Sequence, residues 1–235
     1  MILLLFCFHL SDERKEHMKK ILIGLMSVAL LSGCKVELAP TVNLSDVNSE
    51  TAKTVQSKLI VEVMSCTNYD DSRKESSGVT DAKKTISNIF TDAKYIECYS
   101  EKMDSKALFE IPITVGGKDS TGDIQIRNGG FGGGMIVLIS DSLRNKIQQQ
   151  QKNSFSNFNP SIQITVKNDL DKNQDIVVHG VLADDKNYLP YSWYQLVAGS
   201  TQTFKLSDVS VLAITKHGGA LVYEDYDKRL EIKKQ

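Results

Sequence analysis

The stretch "SIQITVKNDLDKNQDIVVHGVLAD", residues 161–184, decides how the chain is read. Ile162, Ile164 and Val166 alternate with Gln163, Thr165 and Lys167, and a period of two is the mark of a half-buried strand. The polar run 168–175 breaks the pattern with turn-forming residues, and a second apolar segment, "DIVVHGVLAD", follows it. Further strand-sized segments come after: "STQTFKLSDV" (200–209), "SVLAITKHGG" (210–219) and "ALVYED" (220–225), punctuated by Gly199 and Gly218-Gly219. Residues 158–229 are therefore expected to form a mainly antiparallel, sandwich-like β unit, with 230–235 as an exposed tail.

Working outward, the preceding half mixes periods. "KLIVEVMSC" (58–66) reads as a buried strand, "TDAKKTISNIF" (80–90) as a helix with Ala82, Ile86, Ile89 and Phe90 on one face and Thr80 as its cap, and "AKYIECYS" (93–100) as a returning strand. In "ALFEIPITVGG" (107–117), Phe109, Ile111, Ile113 and Val115 share a face, while Pro112 cannot donate to a ladder and marks an edge or bulge. "DIQIRNGGFGGGMIVLIS" (123–140) lacks the Gly-Lys-Ser/Thr of a phosphate loop and the helix that follows a dinucleotide fingerprint. It reads as a glycine-rich hairpin. "SDSLRNKIQQQQKN" (140–153) reads as a short helix leading into the linker "SFSNFNP". The expected fold class is α+β: a strand-helix-strand domain over 58–153, then the β-rich domain.

A net charge of −1 carries no basic footprint for nucleic acid, and 41% hydrophobic residues suffice for one good core or two small ones. Cys66 and Cys98 sit at the ends of the two strands that flank the first helix. Their simplest chemistry is a disulfide, since neither His179 nor His217 falls in a cysteine-hydrolase motif.

The N-terminal region carries the clearest functional signal. Met18, Lys19 and Lys20 precede eleven uncharged residues, Ile21 to Leu31, too few to span a bilayer as a helix, and then Leu31-Ser32-Gly33-Cys34. This segment resembles the lipobox of bacterial lipoproteins. The resemblance implies cleavage after Gly33 of a signal peptide covering 18–33, acylation of Cys34, and, with Lys35 instead of Asp at the next position, the outer membrane with the body facing the periplasm. Residues 34–57, rich in Ser, Thr and Asn around Pro40, are expected to be a lipidated tether, on which Leu44 and Val47 have the option of docking. Residues 1–17 put an apolar block and a charged break ahead of a complete signal peptide, so Met18 is the expected start. The body shows a weaker likeness to uncharacterised lipoproteins of enterobacteria and their prophages, carried by "LLSGCKVELAP", "NYDDSRKES", "YIEC" and "KLSDVSV"; it implies no activity.

Asp169, Asp171, Asn173 and Asp175 have calcium-loop spacing, but Gln174 stands where such a loop needs Gly and Gly180 where it needs Glu, so a polar turn is expected. His179, His217, Cys66 and Cys98 lack the close pair spacings of structural zinc sites. No metal or cofactor is expected. No nucleophile elbow or Ser-x-x-Lys motif is present, and the expected role is non-enzymatic binding to an envelope protein or peptidoglycan. An envelope hydrolase and a prophage factor that blocks a receptor remain as alternatives. "YLPYSWYQL" concentrates Tyr188, Tyr191, Trp193 and Tyr194 around Pro190, a composition that suits either a binding surface or packing between strands.

Overall fold

The computed structural model describes residues 35–129, 133–153, 160–184 and 187–232. Its elements in chain order are β1 (Val36–Ala39), β2 (Thr41–Asn43), α1 (Leu44–Asn48), β3 (Lys53–Val63), α2 (Ser77–Ile89), β4 (Lys94–Glu101), β5 (Asp104–Val115), β6 (Ile124–Asn128), β7 (Gly134–Ile139), α3 (Asp141–Asn153), β8 (Ser161–Lys167), β9 (Gln174–Ala183), β10 (Asn187–Leu196), β11 (Thr201–Leu206), α4 (Asp208–His217), β12 (Gly219–Asp225) and α5 (Tyr226–Ile232).

Nine of these strands close into one barrel in the order β1-β3-β5-β6-β7-β12-β9-β11-β8, and a parallel pairing of β8 with β1 (Glu37 opposite Ser161, Leu38 opposite Ile162) completes the ring. This corrects the expected α+β fold with a sandwich-like C-terminal half. The pairings β7–β12 and β1–β8 join strands from the two expected domains into a single sheet; the expected linker at 154–159 lies outside the described residues. Closure satisfies backbone groups that two open sheets would leave at their edges. A single hydrophobic cluster fills the interior, with Phe109, Ile111, Met135, Ile164, Ile176 and Phe204 fully buried.

The segment expected to be a tether is part of that barrel. Val36, Leu38 and Val42 alternate inward on β1 and β2, and α1 buries Leu44 and Val47. The pattern is short and interrupted by Pro40, which hides its period. Cys34 and residues 1–33 lie outside the described residues.

Three strands lie outside the ring: β2, which pairs with β8 at Thr41–Asn43, and β4 and β10. β4 pairs with β5 over Asp104–Glu110, and β6 takes the same edge at Thr114–Val115. Pro112, which has no N–H to offer, falls between these two ladders while facing Gln56 on β3. β10 pairs with β9 along its length. Val178 faces Ser192 on β10 and Tyr223 on β12, and Val181 faces Leu189 on β10 and Leu206 on β11. Thus β12 and β11 occupy the same edge of β9, one after the other. The handover falls at Gly180, whose φ of +57° is a left-handed conformation that favours glycine, and the β9–β10 ladder skips Pro190 opposite it.

Helices pack against the strands. α2 starts earlier than expected, capped by the Ser76 hydroxyl, which accepts from the Val79 N–H at 3.2 Å, and buries Val79, Ala82, Ile86 and Ile89. Residues 208–217, expected to form a strand, are helix α4. The Ser207 hydroxyl caps its start, left-handed Gly218 ends it, and Val211, Ile214 and Thr215 are buried at helical spacing. β-branched residues obscured those caps in the sequence. Part of the expected C-terminal tail likewise forms α5.

Cys66 and Cys98 are joined, with Cα atoms 5.5 Å apart. The bridge ties the loop after β3 to β4 across α2, as the strand-helix-strand order suggested.

Candidate functional site

The β9–β10 ribbon carries the aromatic stretch outside the barrel. Alternation along β10 puts Tyr191 and Trp193 on one face and Tyr188 and Tyr194 on the other. Tyr194 is turned to the core: its ring meets Phe204 edge-on at 5.8 Å, its hydroxyl donates to Gln202 Oε1, and burial pushes that hydroxyl's pKa up. The other three are exposed, Tyr188 to 83% and Trp193 to 55%. The four-residue set read from the sequence thus divides into one packing residue and three surface residues.

Tyr191 is held from both sides. The His179 ring meets it edge-on at 5.3 Å, and the Arg229 guanidinium on α5 lies 5.3 Å from its centroid. Glu224 Oε2 on β12 stands 3.3 Å from both His179 Nε2 and Arg229 Nε. This chain fastens α5 over the outer side of β9 and fixes the Tyr191 rotamer, a preorganised arrangement that lowers the entropy cost of recognition. His179, Glu224 and Arg229 carried no local signal for this role, because nothing in their spacing brings three elements onto one tyrosine.

β10 also presents a backbone edge. Among the described residues it pairs with β9 alone, leaving an extended ladder of N–H and C=O groups interrupted at Pro190.

The acidic loop between β8 and β9 is a turn whose side chains are spent on structure. Asp169 accepts the Ser45 N–H at 2.9 Å and the Ser45 hydroxyl at 2.5 Å, Asn173 accepts the Ala198 N–H, and Asp175 accepts from Gln195 at 2.8 Å. Burial acts to raise the Asp169 pKa, but the Ser45 bonds outweigh it and hold the carboxyl below its ordinary value. Among the described residues, no group of three or more His, Cys, Asp or Glu side chains is placed to hold a metal ion.

An open groove of about 510 Å³ lies between β7, β12 and the facing ends of α3 and α4, lined in part by Gln125, Arg144, His217 and Leu221. Its Asp141 and Arg144 side chains are paired with each other at 2.8 Å.

The fold and this surface define a closed β-barrel protein with an aromatic, charge-clamped ribbon on its outside. Residues 36–228 match the family model described as Domain of unknown function (DUF7424), and the chain belongs to that family. No curated protein and no solved structure matches it significantly.

Proposed function

We propose that this protein is a lipid-anchored component of the bacterial outer membrane, facing the periplasm, with a non-enzymatic role in which the barrel binds another envelope component through β10. The observation that carries the binding role is the exposure of Tyr188, Tyr191 and Trp193 on one ribbon while Tyr191 is clamped by His179 and Arg229. Aromatic side chains with few rotamers and a polar tip dominate recognition surfaces, and core packing does not require these three. The anchoring role is supported by the Leu31-Ser32-Gly33-Cys34 pattern after an uncharged run. The partner class favoured by the ribbon is an envelope protein or the peptidoglycan surface.

The test has two parts. The non-reduced mass of membrane-extracted protein is expected to equal residues 34–235 plus acyl groups, less two hydrogens. Sedimentation with isolated peptidoglycan and capture of detergent-solubilised outer-membrane proteins are then compared between the unaltered chain and Trp193→Ala. Loss of one interaction in the variant with an unchanged melting profile supports the proposal; equal binding by both chains removes β10 as the site.

A further inference from the structure

We propose that the barrel sits directly on the bilayer, with the end formed by the β3–α2 loop and the β4–β5 turn seated in the lipid headgroup region through Met64, Met103 and Tyr69. The inference rests on acylation of Cys34 and goes beyond it by assigning an orientation and a second membrane contact.

Almost no spacer separates Cys34 from the barrel. A tether of the expected length would hold the body tens of ångströms from the lipid. Instead the Glu62 N–H donates to the Lys35 carbonyl at 2.9 Å and Val36 pairs with Val61, so only Lys35 separates Cys34 from the barrel wall. Two Cα–Cα steps of about 3.8 Å limit the distance from the Cys34 Cα to the start of β1 to roughly 7.6 Å. A lipid on Cys34 therefore brings this end of β1 to the membrane surface.

The neighbouring chain ends carry apolar side chains turned to solvent. β3 runs antiparallel to β1 and finishes at Val63 opposite Ser105, so Met64, the next residue, lies at the same end of the barrel as the β4–β5 turn that bears Met103. Met64 is 71% exposed and Met103 98%. Tyr69, fully exposed, tips the adjacent loop, which the Cys66–Cys98 bridge fastens to β4 and which the Asn68 N–H to Lys74 carbonyl bond at 2.9 Å closes on itself. Flexible methionines and a tyrosine suit the boundary between headgroups and acyl chains.

The charges around them are largely paired: Lys35 with Glu62 at 3.8 Å, Arg73 with Asp71 at 2.9 Å, Lys74 with Asp71 at 3.6 Å, and Lys106 with Glu101. A rim balanced in this way favours a zwitterionic surface over selective attraction to anionic lipid.

The test uses the full chain, extracted from membranes, checked by intact mass, and reconstituted into phosphatidylethanolamine vesicles containing brominated phosphatidylcholine. Trp193 is the sole tryptophan, so Trp193→Phe supplies a dark background. Into it go Met103→Trp or Met64→Trp at the proposed contact and Lys118→Trp just beyond the opposite end of β5. Brominated lipid is expected to cut the emission of the Met103→Trp and Met64→Trp chains roughly twofold and to leave the Lys118→Trp chain unchanged, with little response to added phosphatidylglycerol. Acylated, vesicle-bound protein with neither contact position quenched overturns the seating while anchoring stands. Equal quenching at both ends overturns the orientation, and a mass without acyl groups overturns anchoring and seating together.

Discussion

Arg229 and His179, on different elements, meet the same oxygen, Glu224 Oε2, each at 3.3 Å, with the Tyr191 ring lying 5.3 Å from both the guanidinium carbon and the imidazole centroid. The carboxylate is the hinge pin of the outer ribbon. Glu224→Ala is expected to cost about 1 kcal/mol, a figure already reduced for the quarter exposure of these side chains, and to leave the barrel intact. Hydrogen exchange should quicken in Tyr226–Ile232 and in β10 but not in β3 or β5; uniform quickening would show that the clamp is not local.

The Tyr223 hydroxyl is buried and makes no hydrogen bond with the described residues, and burial pushes its pKa up. A buried polar group without a partner is a liability, so Tyr223→Phe is expected to raise stability by about 1 kcal/mol. Urea denaturation decides it: an unchanged slope with a higher midpoint is the expected result, and a lower midpoint would mean the hydroxyl has a partner in solution.

Gly134 sits where a side chain has no room. A Cβ there would lie 2.0 Å from the Tyr223 carbonyl oxygen, main chain against main chain, beside the bulge in β12. Gly134→Ala should open the β7–β12 ladder and cost more than about 3 kcal/mol, as overpacking of rigid backbone does at the upper end. Soluble expression of the variant with near-wild-type melting would contradict the closeness of these strands.

The Cys66–Cys98 bridge spans a sequence separation of 32 and encloses α2. In the chain-entropy model its loss, through Cys66→Ser with Cys98→Ser, costs about 3–4 kcal/mol. For a domain of this size that lowers the melting temperature by roughly 10 °C. Calorimetry with and without reductant checks it.

Asp169 ties the β8–β9 turn to α1 through Ser45, and its carboxyl titrates below the ordinary 3.8 in the folded chain. With the folded pKa below the unfolded one, the stabilisation is present above about pH 4 and is lost as pH falls through the folded value. Because Asp169 is exposed, the contribution is small, about 0.5 kcal/mol after solvent screening. Asp169→Asn should flatten the acid limb of the stability curve slightly and leave neutral-pH stability lower by that amount. A steeper acid limb in the variant would reverse the assignment.

Much of the local structure was legible in the sequence. The alternation of Ile162, Ile164 and Val166, the inward set Phe109, Ile111, Ile113 and Val115, and the strand-helix-strand placement of Cys66 and Cys98 all appear as read. α4 was missed because Val211, Leu212 and Ile214 suit either period, and the decision rested on the Ser207 cap and Gly218. At the surface, the aromatic stretch was visible but its division was not: parity along β10 separated Tyr194, packed on Phe204, from Tyr191 and Trp193, while Tyr188 shares the Tyr194 face but lies exposed near the start of the strand.

By itself the sequence determined several of the segments that become strands, β3, β5, β8 and β9 among them, together with the cysteine pair and the aromatic character of β10, because each depends on neighbours within a few residues. Only the tertiary structure decided that the two halves share one closed barrel. Closure depends on Glu37 meeting Ser161 and on β9 passing from β12 to β11 at Gly180. Those pairings join residues far apart in the chain, and their energy comes from satisfying edges and filling a common core, which no local periodicity encodes.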